Sequence, residues 1–480
     1  MADDCASNDS TPLLQTQYAE SEPKRTGTVW TAVAHIVTGV IGSGVLSLAW
    51  SIAQLGWIGG PLAMLLFASI TLLSSFLLSN TYRSPDPEYG PKRSSSYLDA
   101  VNIHQGKVAV KDIMVKLVNG DDSNGVGTGR LCGVFVNVSL YGFGIAYIIT
   151  SAISMRAIQE SNCHIKNGNG ACEFGDSYYM LIFGVIQILL SQIPNFHNIQ
   201  WLSVVAAVMS FAYAFIGMGF AIKQTVEKGY AEGTIEGIPT STDVQKMWLV
   251  AQALGDIAFS YPFSVILIEV QDTLKSPPPE NVTMRRASLI AVIITTFFYL
   301  CCGCAGYAAF GNDTPGNLLT GFEFARPHWL VDFANACIVV HLVGAYQVYS
   351  QPLFANVENW LRFKFPDSDF VNQTYNLKLP FLPAFPLNFL RLTFRTAYVV
   401  STTIIGMLFP YFNQILGVLG GIIFWPLTIY FPVEMYLSQG NIQPWTTKWV
   451  LLRTFSIVCF VVGMFTLVGS IEGIISAKLS

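Results

Sequence analysis

Two short stretches place glycine, serine, proline and a carboxylate where long apolar helices otherwise run. The first is Thr38, Gly39, Val40, Ile41, Gly42, Ser43 and Gly44. Three glycines in six residues, each about 1 kcal/mol worse than alanine in a helix, are enough to break its hydrogen-bond ladder. The amides freed there, with the positive end of the half-helix that follows, suit a carboxylate without any cationic side chain. Small residues also permit close helix packing, and from this motif alone both readings stand. The second stretch runs from Gly255 to Pro262 and includes Asp256, Ala258, Phe259 and Ser260. Pro262 removes a backbone donor, and Asp256 sets a carboxylate at a depth where charge is costly.

Other titratable groups at similar depth are His35 and His341, which change charge near pH 6.5 and are candidates for carrying or gating a proton. A neutral ring hydrogen-bonded to a neighbouring helix is an equally good account of each. Asn137 and Tyr141 are candidates for lining a pocket, as are Phe259 and Tyr261, although aromatic residues in such helices also serve as packing and interface belts. Glu269, Asp272 and Glu434 fall near helix ends, where Arg285 or Arg286 is the expected partner. Cys163 and Cys172 flank a polar loop, and an oxidising compartment on that side would favour a disulfide between them.

These residues sit within a chain that must be largely immersed in lipid. Hydrophobic residues make up 52% and charged residues only 12%, against roughly 25% charged in a soluble domain. A bilayer core takes about 20 apolar residues per helix. Runs near 27–51, 59–82, 130–159, 177–193, 201–222, 248–270, 285–310, 328–361, 388–408, 412–437 and 447–474 meet that requirement, predicting eleven transmembrane helices in an all-α integral membrane protein. A β-barrel would alternate with period two, and runs such as LIAVIITTFFYL do not. The polar residues 1–26 lack the apolar core of a cleavable signal peptide and are expected to form a cytoplasmic tail. A second long polar interval, 83–129, is expected to be a cytoplasmic loop.

The two interrupted helices are the first and the sixth. Five helices apart, they predict a 5+5 inverted repeat, one repeat over 27–223 and the other over 248–437, with the ligand between the broken helices and 447–474 as an added eleventh helix. Lysine and arginine fix the orientation: with the N-terminus inside, 19 of 26 fall on the inner side, so the C-terminus is expected outside. The net charge of -4 gives no footprint for nucleic acid. No HExxH, phosphate loop, GxSxG or clustered metal ligands occur, so neither an enzyme nor a metal site is expected, and an ion gradient or passive exchange is left as the energy source.

Several longer stretches carry a family resemblance. GTVWTAVAHIVTGVIGSGVLSLAWSIAQLGWIGGP (Gly27 to Pro61), YRSPDP (Tyr82 to Pro87), LSQIPNFH (Leu190 to His197) and GDIAFSY with LIEVQDTLKSPPPEN (Gly255 to Asn281) resemble plant amino acid permeases of the amino acid/auxin permease superfamily. So do GYAAFGNDTPGNLLT (Gly306 to Thr320), DFANACIVVHLVGAYQVYSQP (Asp332 to Pro352) and FWPLTIYFPVEMY (Phe424 to Tyr436). The resemblance implies a LeuT/APC-like fold and import of a broad range of amino acids, neutral and acidic, at the plasma membrane. Protons are then the coupling ion and no cofactor is needed. It further implies that Gly42, Ser43 and Gly44 hold the substrate carboxylate, that the opened backbone near Ala258 and Phe259 meets its ammonium, and that Asp256 is the buried acid beside them. A carrier of an aromatic organic acid such as auxin, or a non-transporting amino acid sensor, are the rival readings. Oligomeric state is not legible.

Overall fold

The structure is a computed structural model that describes residues 25–105, 126–167, 175–193, 200–323, 325–377 and 385–479. Helix α1 (Val29–Val40) opens on a capping box in which the Thr28 side chain accepts from the Thr31 amide and the Thr31 side chain accepts from the Thr28 amide. It stops at Val40. A 3-10 turn (Ser43–Leu46) leads into α2 (Leu48–Asn80). The continuity of α2 is interrupted at Gly56, whose φ of 78° suits glycine. A side chain there would also run into the backbone of Ile235 and Gly237. The first span therefore ends at this kink, and the second begins after it.

A short strand pair, β1 (Arg83–Ser84) and β2 (Lys92–Arg93), precedes α3 (Tyr97–Gln105). Then come α4 (Val126–Asn167), α5 (Asp176–Ser191) and α6 (Gln200–Lys228). The sixth span is split into α7 (Asp243–Ser260) and α8 (Ser264–Asp272). Beyond it lie α9 (Glu280–Phe310), α10 (His328–Lys364), the one-turn α11 (Asp369–Asn372), a hairpin of β3 (Thr374–Leu377) and β4 (Phe385–Asn388), and α12 (Phe389–Leu408). Helix α13 (Phe412–Ile423) continues through a π-helical turn (Phe424–Tyr430) into α14 (Phe431–Gln439), and α15 (Thr447–Leu479) closes the described chain. The broken helices are central: α7 packs on α2 and α13, α1 on α9, and α4 on α10 and α13.

Eight segments among the described residues are long and apolar enough to cross a membrane by length and composition. Eleven were expected, and the difference has physical causes. Breaking the first span leaves the short α1 and merges its second half with the next helix across Gly56; α5 has only 16 residues; and α12 carries Arg391 and Arg395. Most of the expected cytoplasmic interval that lies beyond α3, residues 106–125, is outside the described residues, as are residues 1–24.

One end of the bundle is tied by charge. Arg83 donates twice to Glu280, at 2.8 and 2.7 Å, and Arg93 approaches the same carboxylate at 3.4 Å. Glu280 is fully buried. Arg25 pairs with Asp272 at 3.1 Å, the Tyr82 hydroxyl donates to the same carboxylate at 2.5 Å, and Gly27 exchanges backbone bonds with Thr273 and Lys275 at 2.9 and 3.0 Å. The expected pairing of Glu269, Asp272 and Glu434 with Arg285 or Arg286 is corrected: Asp272 has Arg25 and Tyr82, Glu434 has Arg453, Arg285 bonds Asn80, and Glu269 and Arg286 are exposed. Arg25 and Arg453 take Asp272 and Glu434, and Glu269 has no ion pair among the described residues.

Removing one partner of a buried ion pair leaves an uncompensated charge, at a cost of about 3–5 kcal/mol. Glu280→Gln is expected to lower the thermal unfolding midpoint of detergent-solubilised protein clearly. Asp272→Asn, at a pair about a fifth to a quarter exposed, should lower it less. Equal effects would contradict this ranking.

Candidate functional site

The two breaks meet. The Ile41 amide still bonds the Val37 carbonyl at 2.9 Å, after which Ile41 and Gly42 leave helical geometry, with ψ of 90° and -146°. The first amides of the Ser43–Leu46 turn are orphans of a helix start, and the buried Ser43 hydroxyl has no partner. Opposite, α7 runs through Ser260 and stops because Pro262 has no N–H to give the Ala258 carbonyl four residues earlier. Ala258 and Phe259 therefore lie in the last helical turn, and the opened backbone expected there falls at Tyr261 to Phe263 instead. Their carbonyls remain helix-terminal acceptors. A side chain on Gly44 would place its Cβ 2.5 Å from the Ser260 Oγ and 3.2 Å from the Ser260 Cα, so only glycine lets the two interruptions touch.

Three tyrosines occupy the carbonyls released by the first break. Tyr213 on α6 donates to Gly42 at 2.9 Å, and Tyr349 on α10 donates to Gly39 at 3.2 Å. Tyr299 on α9 lies between the Val40 carbonyl at 2.6 Å and the Ser260 carbonyl at 3.1 Å, sharing one proton across both breaks. Tyr349 also packs on Phe143, with ring centroids 4.8 Å apart, and Phe143 on Phe259 at 5.5 Å; Tyr147 lies 5.9 Å from Tyr349. An aromatic wall so built faces the junction of α1, α4, α7 and α10.

His341 joins this site. Its Nδ1 lies 2.9 Å from the Ala206 carbonyl and 2.9 Å from the Ser210 hydroxyl. A carbonyl only accepts, so the arrangement assigns the proton to Nδ1 and leaves Nε2 a bare acceptor. That Nε2 is 3.7 Å from where a Gly42 Cβ would stand. His35, by contrast, lies on the exposed face of α1 and is not brought to the break.

Asp256 is completely buried and turns toward α13 rather than toward Gly44. Its Oδ2 accepts from Asn413 Nδ2 at 3.1 Å, while Oδ1 has no partner and lies beside Gly417. Tyr141 is likewise turned away, donating to Ser401 Oγ at 2.8 Å on α12; Asn137 Oδ1 is buried without a partner. Cys172 lies outside the described residues, so the expected bridge from Cys163 does too. Among the described residues no group of three or more His, Cys, Asp or Glu side chains is arranged to hold a metal ion.

Sequence reasoning missed Phe143, Tyr147, Tyr213, Tyr299 and Tyr349. The available signal was that a broken helix needs donors for its freed carbonyls, and tyrosine is the apolar residue that carries one. Tyr299→Phe is expected to cost about 1–3 kcal/mol of unfolding stability, because buried carbonyls at two breaks lose a donor. Tyr213→Phe, which serves one break, is expected to cost less. Thermal unfolding in detergent checks the order.

Comparison with known proteins agrees with this architecture. Residues 25–476 match the profile of the transmembrane amino acid transporter protein family. The chain is 55% identical over 467 residues to probable amino acid permease 7 of Arabidopsis thaliana, covering 96% of each. It is 50% identical over 459 residues to amino acid permease 3 of the same plant, covering 95% of this chain and 92% of that one. Its fold resembles the crystal structure of MhsT in complex with L-phenylalanine, with a TM-score of 0.51 at 11% identity over 91% of this chain and 98% of that one. A multi-pass helical bundle with two facing broken helices, matched end to end by these relatives, belongs to the plant amino acid permeases of the amino acid/auxin permease family, a family of transporters and not of enzymes.

Proposed function

We propose that the protein imports a broad range of amino acids, neutral and acidic, across the plasma membrane with protons, by alternating access. The observation that carries this reading is the facing pair of breaks at Gly44 and Ser260, which sets helix-start amides opposite helix-end carbonyls. Amides suit a carboxylate and carbonyls suit an ammonium, the two charged ends of an α-amino acid. An aromatic acid without an amino group would leave the α7 carbonyls unmatched, which disfavours an auxin-like substrate.

The reading includes eleven spans: the eight long ones with the split at Gly56 counted twice, plus α5 and α12, and with α1 completing the first. The first ten form the 5+5 repeat and α15 is the addition. The basic end with Arg83, Arg93 and Arg25 is cytoplasmic, the N-terminus is inside and the C-terminus outside, and a Cys163–Cys172 bridge closes an external loop. Gly39 to Gly44, Ala258, Phe259 and Ser260 bind substrate, with Phe143, Tyr147 and Tyr349 receiving its side chain. Asp256 and His341 are the proton candidates; His35, on the outer face of α1, is at most a modulator of pH response.

Gly44→Ala is expected to reduce uptake of labelled L-alanine at least tenfold at matched surface amounts, since it forces the breaks apart, and a Gly44→Ala/Ser260→Gly double variant should recover part of it. Loss without any recovery would sink the steric account. Wild-type uptake should rise as external pH falls. If protonation of Asp256 is the coupled event, Asp256→Asn should lose accumulation above the external concentration and keep exchange of amino acid for amino acid, while His341→Gln shifts the pH midpoint. Accumulation by Asp256→Asn as steep as the parent's would move the proton elsewhere; a parent that binds but never accumulates substrate would favour the sensor reading.

A further inference from the structure

A half-open polar pocket of about 390 Å³ lies at the basic end, lined by none of the residues at the breaks. Its walls come from the loop after β1, the start of α9, the end of α14 and the start of α15. The volume sits at the small end of the range for ligand pockets, roughly 300–1,000 Å³. Asp86, Glu88, Arg285 and Lys448 all line it, with Asn80 and Gln439 between them.

Two cations and two carboxylates thus share one cavity, yet none of the four makes an ion pair within 4 Å among the described residues. Three of the four are held by neutral neighbours instead. Lys448 Nζ donates to the Tyr436 hydroxyl at 2.6 Å, and Arg285 to the Asn80 side-chain oxygen. The Asp86 carboxylate accepts the amides of Glu88 and Tyr89 at 2.9 and 2.8 Å, which holds its carboxyl below the usual range. Opposite charges held apart across a cavity leave both signs of field for a guest that carries both. A polyanion such as a phosphate ester would meet the two carboxylates; a zwitterion would meet a partner for each end.

From the separated charges of Asp86, Glu88, Arg285 and Lys448 around this cavity, we infer a second, non-transporting site for a small zwitterion, the chemical class of the substrate itself. The site rests on reading this face as cytoplasmic and the cargo as an amino acid. Its walls are the elements that hold the basic end shut: Gln439 Nε2 donates to the Arg83 carbonyl at 2.7 Å, and Arg83 is the partner of Glu280. A guest bridging α14 and α15 to the loop after β1 stabilises the shut arrangement. Two sites that bias one equilibrium are linked, so accumulated product slows further import.

The test uses the full chain with labelled L-alanine, in Lys448→Gln and Glu88→Gln, both exposed positions outside the transport site. Purified parent should bind two alanines per chain and each variant one. Into unloaded cells, parent and variants should take up alanine at equal rates. Preloading with unlabelled alanine should slow the parent by about fivefold, the lower end of ordinary coupling, and the variants by far less. One alanine bound by the parent, two retained by both variants, or equal slowing of all three would overturn the second site while leaving transport standing. Displacement of the second alanine by inorganic phosphate would overturn the zwitterion assignment. A parent that takes up no amino acid would defeat the transport reading, whatever the binding stoichiometry.

Discussion

Within hydrocarbon every backbone donor and acceptor must find a partner in the protein, and that constraint organises this structure. Two helices are broken in mid-bundle, and each break frees polar groups that lipid cannot satisfy. Tyr213, Tyr299 and Tyr349 supply donors to the freed carbonyls from three different helices. Their rings at the same time fill apolar volume. Tyr299, shared by both breaks, makes the geometry of one depend on that of the other.

Carbonyls are satisfied in this way, but the amides at the start of the Ser43–Leu46 turn are not given side-chain acceptors, and the Ser43 hydroxyl is left bare. The asymmetry matters chemically. A first break whose carbonyls at Gly39, Val40 and Gly42 are filled while its donors stay open has an unmet demand for an anion at Gly42 to Gly44. Pro262 makes the complementary demand by denying the Ala258 carbonyl its helical donor. On the proposed reading, the two ends of an α-amino acid would answer both demands.

How much of this was legible follows from what sequence patterns encode. Glycine density and Pro262 announce broken helices because backbone conformation is a local property, and those positions were found, with the second break displaced by about one turn toward the C-terminus. Apolar run length divides the chain between 51 and 59, where the structure has its kink at Gly56, but does not give the reason for it, since that kink is set by the distant backbone of Ile235 and Gly237. Side-chain partners were the least legible. Asp256 looked like a substrate contact because it lies near the break in sequence, yet helical rotation carries it to Asn413 and Gly417 on α13. Sequence points to Tyr141, whereas Phe143 and Tyr147, on another face of the same helix, reach the site.

The ends of the half-helices show how the breaks can act as joints. At the basic end α1 and α8 are fastened to each other: Gly27 bonds Thr273 and Lys275 through the backbone, and Arg25 bonds Asp272. The other halves meet where Gly44 rests on Ser260. Each broken helix thus contributes one half to each of two pairs, and only Ile41 to Gly42 and Tyr261 to Phe263 connect the pairs along the chain. Rotation of α1 with α8 against the Ser43–Leu46 turn and α7 would change backbone angles at those few residues while leaving both pairs internally intact. Asp256, wedged between α7 and α13, lies outside this joint. A proton there would act on how α7 packs against α13, where Gly255 and Gly417 bring the backbones within contact. Coupling between cargo and proton would then run through the position of α7, and direct contact between the two is not required.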